Sequence, residues 1–309
     1  MSVVWVPYAE WPAQLELPGD VRVDVFDGVS APPASIGDVE FYVLPYMGGE
    51  DNGRLMARMT SLRVAQSLSA GVDTILRHLP EGVTFCNARG VHDASTAELA
   101  VALTLAVLRG FPAFVRAAEQ GQWAPALRPS LADRRVLLVG YGAVGQAIER
   151  RLAGFECDVR RVARHSRDAT DGGGAVSAYD DLPVLLADAE VVFLTVPLTE
   201  DTRGMVDAEF LAALPDGALL VNVARGPVVN TDALLAETSS GRLMAALDVT
   251  DPEPLPADHP LWSVPNVLVV PHVGGNTTAY PPRALRLVRE QLHRHFAREP
   301  LVNVITGTY

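Results

Sequence analysis

Gly140-Tyr141-Gly142-Ala143-Val144-Gly145 stands near the middle of a 309-residue chain, after the strand-like run Val136–Val139 and before a helix-like run from Gln146 to Ala153. A Gly-x-Gly-x-x-Gly turn in that setting suits the pyrophosphate of a dinucleotide. The first glycine permits the tight turn, the second lets backbone approach the phosphates, and the third lets helix pack on strand. The helix start adds unpaired N–H groups for the anion. The competing reading, a glycine-rich turn in some other α/β protein, is disfavoured by the flanking strand and helix. A position near residue 140 also means that a domain-sized stretch precedes the turn and a similar length follows it.

The length suggests two domains. With 49% hydrophobic and 20% charged residues, the composition is that of a globular protein. No apolar run of about 18 residues lacks a charge or breaker, so no membrane span is expected. Met1–Trp5 carries no basic segment, so no signal peptide is expected either. Cys86 and Cys157 fall in no metal-type spacing, and a cytoplasmic, disulfide-free protein without metal is the simplest reading. A net charge of −12 argues against nucleic acid or anionic membrane as partner. All 25 basic residues are arginine, which excludes Schiff-base chemistry and a phosphate-binding P-loop lysine.

Working outward, Val3–Val6, Val21–Phe26, Phe41–Leu44, Val64–Leu68 and Val83–Cys86 read as strands of a small parallel α/β domain, separated by Pro- and Gly-marked connections. An apolar helix is expected over residues 96–118. Ser95-Thr96-Ala97-Glu98 has the pattern of a capping box at its start, and Pro112 should kink or end it. Being apolar on more than one face, this helix is expected between domains or subunits. After the glycine turn, strands are expected at 135–139, 157–163, 190–195, 218–222, 244–248 and 267–270. Six strands with helical crossovers would complete a dinucleotide-binding domain. Pro281–Ala297 reads as a polar, Arg-rich helix returning to the first domain. His293 and His295 lie on different faces of it, which disfavours a metal site. Gly172–Gly174 is too far from the fingerprint to cradle phosphate and reads as a connection. His92 is expected on the surface or capping a helix. Trp5 and Trp11 are core candidates, and Tyr46-Met47-Gly48-Gly49 is a candidate pocket lining.

NAD sites place an acid about 20 residues beyond the fingerprint, at the end of the second strand, to bind the ribose 2′-hydroxyl. Here that strand ends on Arg164, followed by His165, Ser166 and Arg167, and Asp158 comes too early on it. A guanidinium makes charge-assisted bonds to a 2′-phosphate where an acid would repel it. NADP(H) is therefore the expected cofactor, with NAD(H) possible; the bland alternative makes these arginines a solvated face.

Three further segments each follow a strand of the second half, where open α/β sheets bind ligands. They are Asn222-Val223-Ala224-Arg225-Gly226-Pro227, Leu247-Asp248-Val249-Thr250-Asp251-Pro252-Glu253-Pro254, and Val270-Pro271-His272-Val273-Gly274-Gly275. An arginine, an acid and a histidine together suit reduction of a 2-keto acid. The arginine pairs with the substrate carboxylate and polarises the ketone. The histidine donates a proton to the developing alkoxide, and a neighbouring carboxylate favours the imidazolium and orients it.

On these residues the chain resembles the D-isomer-specific 2-hydroxyacid dehydrogenases, a family that includes glyoxylate/hydroxypyruvate reductases and phosphoglycerate dehydrogenase. The likeness spans nearly the whole chain and is strongest from Leu131 to Thr277. It implies that Arg225 binds substrate, His272 is the acid/base, Glu253 pairs with the histidine, and Asp248 lies near the nicotinamide carboxamide. Ser69-Ala70-Gly71-Val72-Asp73 matches the family's Gly-Val-Asp segment, with the N–H groups of Ala70 and Gly71 holding the substrate carboxylate. The expected cofactor contacts are Gly140, Gly142, Ala143, Val144, Gly145, Arg164, His165, Arg167, Val196, Pro197, Thr202, Ala224, Asp248 and Gly274. Asn230 stands where the family commonly has Asp, and Thr250 where an aromatic is frequent.

The implied fold is α/β: a Rossmann-type, doubly wound nucleotide domain (95–279) inserted into a smaller flavodoxin-like α/β substrate domain (1–94 and 280–309). A homodimer through the 96–118 helix is expected. The expected activity is NADPH-dependent reduction of a small 2-keto acid such as glyoxylate or hydroxypyruvate to the D-2-hydroxy acid. One alternative is an NAD-linked dehydrogenase of a phosphorylated hydroxy acid, with Arg54 and Arg58 as extra cations. Another is a non-enzymatic NAD(P)-sensing scaffold of the co-repressor kind.

Overall fold

Alternating aliphatic and aromatic residues build two mainly parallel sheets, each with a core on both faces. The structure is a computed structural model that describes residues 1–168 and 174–306. Gly172 and Gly173 of the expected glycine connection lie outside the described residues. The chain divides into two compact units, Met1–His92 with Thr278–Tyr309, and Asp93–Thr277.

In the first unit, β1 (Ser2–Val6), β2 (Val21–Val25), β3 (Val39–Val43), β4 (Val64–Gln66) and β5 (Thr84–Cys86) pair in parallel in the order β2-β1-β3-β4-β5. That is the flavodoxin-like order. All five expected strands are present. Period-two alternation sends Val4, Val6, Phe41 and Val43 to one face, and Val3, Trp5, Tyr42 and Leu44 to the other. A short helix, α1 (Gly49–Arg54), follows β3. Trp5 and Trp11 are core residues, as expected, whereas Met47 is exposed. His92 is not on the surface: it is buried directly before α2 and stacks with Tyr46 and Tyr280. The stacked rings bury the imidazole while one nitrogen, Nε2, still meets the Leu68 carbonyl at 2.7 Å. Such a pairing makes burial of a polar ring affordable.

The second unit begins with α2 (Asp93–Leu108) and α3 (Phe111–Glu119). Here the capping-box expectation fails. The helix already runs from Asp93, and the hydroxyl of Ser95, inside it, meets Thr277 Oγ1 at 2.7 Å. The helix break falls before Pro112 rather than at it. Gly110 adopts a left-handed conformation (φ +69°) and Pro112 sits in the first turn of α3, where its missing N–H is harmless. Within this unit α2 packs Ala97, Ala100, Leu103 and Leu108 with Leu138, Phe193 and Val221 of the sheet.

The remaining elements are β6 (Arg135–Val139), α4 (Ala143–Leu152), β7 (Asp158–Ala163), β8 (Arg167–Asp168), β9 (Ala175–Ala178), α5 (Leu182–Leu186), β10 (Val191–Leu194), α6 (Ala208–Ala212), β11 (Leu219–Asn222), α7 (Thr231–Ser239), β12 (Met244–Leu247) and β13 (Val267–Val269). The sheet order is β13-β12-β11-β10-β6-β7-β9-β8, parallel except for β8 against β9. Taken from β9 to β12 this is the 3-2-1-4-5-6 order of a doubly wound sheet. The six expected strands are all present, but they are not the whole sheet. β9 was missed because Ala-Val-Ser-Ala carries little strand signal, and it supplies the third strand of the order. Val136, Leu138, Val191 and Phe193 face one core, and Leu137, Val139, Val192 and Leu194 the other. The final helix, α8 (Tyr280–Ala297), packs Ala284, Val288 and Leu292 on the first unit's sheet. Among the described residues no single helix is long and apolar enough to cross a membrane, and α2 and α3 are bent by 64° at their break.

Candidate active site

The glycine turn leads from β6 into α4. Gly140 has φ +97°, and a Cβ there would lie 2.8 Å from the backbone of Thr195 and Val196. Thr195 Oγ1 donates to the Gly140 carbonyl at 2.6 Å, which fastens the turn to the end of β10. A Cβ on Gly145 would lie 2.5 Å from the Gly140 carbonyl oxygen, so only glycine allows this approach of helix to turn. Gly142, the N-cap of α4, is different: nothing lies within 4 Å of where its Cβ would stand. Two glycines fit because the protein is close; the middle one opens onto space at a helix N-terminus. That is the cradle a pyrophosphate requires, so the residues present fit a dinucleotide. Ala143 and Val144 form the first turn of α4.

Arg164, just past β7, is exposed, and its Nη2 lies 3.6 Å from Asp201 Oδ2. His165 is exposed beside it. Arg167, on β8, donates to the Tyr141 carbonyl at 2.7 Å and so ties this segment to the glycine turn. The Tyr141 side chain is held too: its hydroxyl donates to Glu149, which also pairs with Arg161. Past β10, Val196 is buried and Pro197 exposed, and the buried Thr202 hydroxyl donates to the Pro197 carbonyl at 2.6 Å.

Arg225 follows β11 and Glu253 follows β12; His272 follows β13. These strands are neighbours, so the sheet brings the three segments together. Asn222, buried at the end of β11, folds the first one: its Oδ1 accepts from the Ala224 N–H at 3.0 Å and its Nδ2 donates to the Arg225 carbonyl at 3.0 Å. The role of this side chain was missed, although it opens the Asn-x-x-Arg motif. Arg225 Nη1 donates to the Ala224 carbonyl at 2.7 Å. Gly226 lies so close to the Thr250 carbonyl that any Cβ would collide with it.

His272 Nδ1 lies 2.6 Å from Glu253 Oε1. Burial pushes the Glu253 carboxyl up, but the hydrogen bond and charge of His272, the Thr250 backbone and the charge of Arg225 together hold it below its ordinary value. The carboxylate is therefore the resting form, and it leaves Nε2 of the imidazole to exchange a proton with a ligand. His272 has φ +51°, in the left-handed region. Asp248 holds it there. The Asp248 carbonyl accepts from the His272 N–H at 2.8 Å, and its carboxylate accepts from the N–H groups of Val273 (2.7 Å) and Gly274 (3.0 Å). Burial nevertheless pushes the Asp248 carboxyl above its ordinary range.

Asn230 caps α7 by accepting from the Ala233 N–H at 2.9 Å, and Thr250 donates to the Pro252 carbonyl at 2.8 Å, so both family departures have structural duties. Ala70 and Gly71 belong to the first unit, in the loop after β4. Asn87 Nδ2 donates to the Ala70 carbonyl at 2.8 Å, and His92 holds the preceding Leu68. Arg54 is already paired with Glu50 and Asp51. Among the described residues no group of three or more His, Cys, Asp or Glu is arranged to hold a metal.

Comparison with known proteins gives the family of the chain. Residues 101–274 match the family model for the D-isomer specific 2-hydroxyacid dehydrogenase NAD binding domain. A mouse glyoxylate reductase/hydroxypyruvate reductase is 35% identical over 238 residues, covering 74% of this chain and 72% of its own. Among solved structures, a D-isomer specific 2-hydroxyacid dehydrogenase from Xanthobacter autotrophicus Py2, in complex with NADPH and MES, is 32% identical with a TM-score of 0.81, covering 99% of this chain and 98% of that one. A D-isomer specific 2-hydroxyacid dehydrogenase family protein from Aeromonas salmonicida is 27% identical with a TM-score of 0.88, covering 99% of this chain and 98% of that one. With its cofactor cradle and its arginine, glutamate and histidine on adjacent strand ends, the chain belongs to the D-isomer-specific 2-hydroxyacid dehydrogenases, NAD(P)-dependent oxidoreductases.

Proposed function

We propose that the chain reduces a small 2-keto acid of the glyoxylate or hydroxypyruvate type to the D-2-hydroxy acid, with NADPH preferred and NADH accepted. The observation that carries this reading is the 2.6 Å His272–Glu253 pair, with the charge of Arg225 bearing on the same carboxylate. Arg225 pairs with the substrate carboxylate and draws electron density onto the keto oxygen. In the first unit, Ala70 and Gly71 offer backbone N–H groups to a substrate carboxylate. His272, oriented by the Glu253 carboxylate, gives a proton from Nε2 to the keto oxygen as negative charge develops there. The nicotinamide, when bound, supplies the hydride to C2. Asp248 keeps His272 aimed by clasping the loop that carries it. In this division of labour residues 95–279 hold the dinucleotide, and 1–94 with 280–309 hold the substrate.

Gly140, Gly142, Ala143, Val144 and Gly145 cradle the pyrophosphate. Val196, Pro197, Thr202, Ala224 and Gly274 line the rest of the cofactor site. Arg164, His165 and Arg167 meet the 2′-phosphate, a reading supported by the absence of an acid at the end of β7. The similar protein from Xanthobacter was solved with NADPH. We further propose a homodimer, because Phe111, Val115, Trp123 and Leu127 are exposed on and just beyond α3.

The test is spectrophotometric. Oxidation of NADPH and NADH is followed with glyoxylate, hydroxypyruvate, pyruvate and bulkier keto acids. Turnover with the two small acids, at higher kcat/KM for NADPH, is expected, and Arg164→Asp should move the preference toward NADH. Tight cofactor binding with no turnover on any acid would instead favour a nucleotide-sensing scaffold, and a clear preference for NADH would overturn the role of Arg164.

A further inference from the structure

No acid stands at the end of β7, but one from another element reaches Arg164 there. Asp201, on the loop after β10, brings Oδ2 to 3.6 Å from Arg164 Nη2. Its loop is well fastened. The Thr199 N–H donates to Thr202 Oγ1 at 2.8 Å, and that hydroxyl donates to the Pro197 carbonyl at 2.6 Å, with Thr202 only 2% exposed. Asp201 is thus presented on a braced turn. Tyr179, directly after β9, senses both groups: burial raises its hydroxyl above the ordinary phenol range, Arg164 lowers it, and Asp201 raises it again. Three elements therefore converge where the adenosine ribose is expected: the ends of β7 and β9, and the loop after β10.

We propose that Asp201 is a specificity-determining residue of the cofactor site, occupying Arg164 in place of a 2′-phosphate and opposing the entry of 2′-phosphorylated adenine nucleotides by its charge. The inference rests on the reading of Arg164 as the 2′-phosphate anchor. Both side chains are more than half exposed, so their mutual attraction is weak and a phosphate, with its charge-assisted bonds, displaces the carboxylate. The displaced carboxylate stays close by, because its loop is braced, and repels the new anion. An adenine nucleotide lacking the 2′-phosphate meets neither cost. The pair thereby tempers the preference for NADP(H) and keeps NAD(H) usable.

Calorimetric titration with adenosine 2′,5′-bisphosphate and adenosine 5′-monophosphate tests this without turnover. Wild type is expected to bind the bisphosphate more tightly. Asp201→Asn should tighten the bisphosphate by about five-fold, the scale of one exposed charge interaction, and leave the monophosphate within about two-fold. Asp201→Glu, which keeps the charge, should resemble wild type. In an Arg164→Gln background the Asp201→Asn gain should shrink. If wild type does not favour the bisphosphate, the role of Arg164 fails first. If wild type favours it but Asp201→Asn leaves the affinity unchanged or weakens it, or if the gain is undiminished in Arg164→Gln, the role of Asp201 is overturned.

Discussion

Glu253 shows how much one carboxylate contributes by its surroundings. Its 2.6 Å pairing with His272 Nδ1 sets the direction of the imidazole ring and leaves Nε2 as the other nitrogen. Glu253→Gln keeps the shape and removes the charge. We expect kcat to fall roughly 10²-fold while cofactor affinity holds. The pH dependence follows from the lowered carboxyl: a folded-state pKa below the ordinary 4.5 means that the pair is intact above that value and is lost as pH falls through the lowered one. The gap between wild type and Glu253→Gln should therefore be full at neutral pH and narrow as pH falls through the lowered value, in steady-state rates measured across that range. Equal rates for wild type and Glu253→Gln at neutral pH would contradict the assignment. Asp248 acts one step further back, through backbone N–H groups, and its sequence context alone gave no sign of the clasp.

At the scale of elements, the site depends on strand ends that lie side by side. β11, β12 and β13 deliver Arg225, Glu253 and His272, and the segments after β11 and β12 touch at Gly226 and Thr250. Gly226→Ala would force these backbones apart, because the added Cβ meets a carbonyl rather than a movable side chain. A loss of about 1–3 kcal/mol in stability is expected from chemical denaturation, with a higher KM for the keto acid as Arg225 shifts. Unchanged stability and KM would refute the close packing of the two segments. Much of this was legible beforehand, because glycines at fixed offsets and apolar runs before each motif are local signals. The glycine turn, the strands bearing the three motifs and the returning helix were all readable in that way. What was not legible depended on tertiary partners. Ser95 looked like a helix cap until Thr277 claimed its hydroxyl, and His92 looked like a surface residue until two tyrosines covered it. β9 lacks a pattern of its own and exists as a strand because β7 and β8 offer edges to pair with.

At the scale of the whole molecule, the apolar residues on and beyond α3 are not covered by the core. Trp123 is 96% exposed and Leu127 fully so, beyond a helix with no buried residue. An apolar arm of this kind in a monomer invites association. Sedimentation equilibrium is expected to give twice the chain mass, and the double variant Trp123→Asp/Leu127→Asp the mass of one chain; a wild-type monomer would contradict the dimer. The central claim concerns the chemistry, and one comparison tests it most directly: kcat for NADPH-dependent reduction of glyoxylate and hydroxypyruvate by wild type and by His272→Gln, with NADPH binding measured alongside. If His272 Nε2 supplies the proton, kcat falls by about 10²–10⁴-fold while NADPH affinity is retained. Turnover at the wild-type rate in His272→Gln would contradict the account.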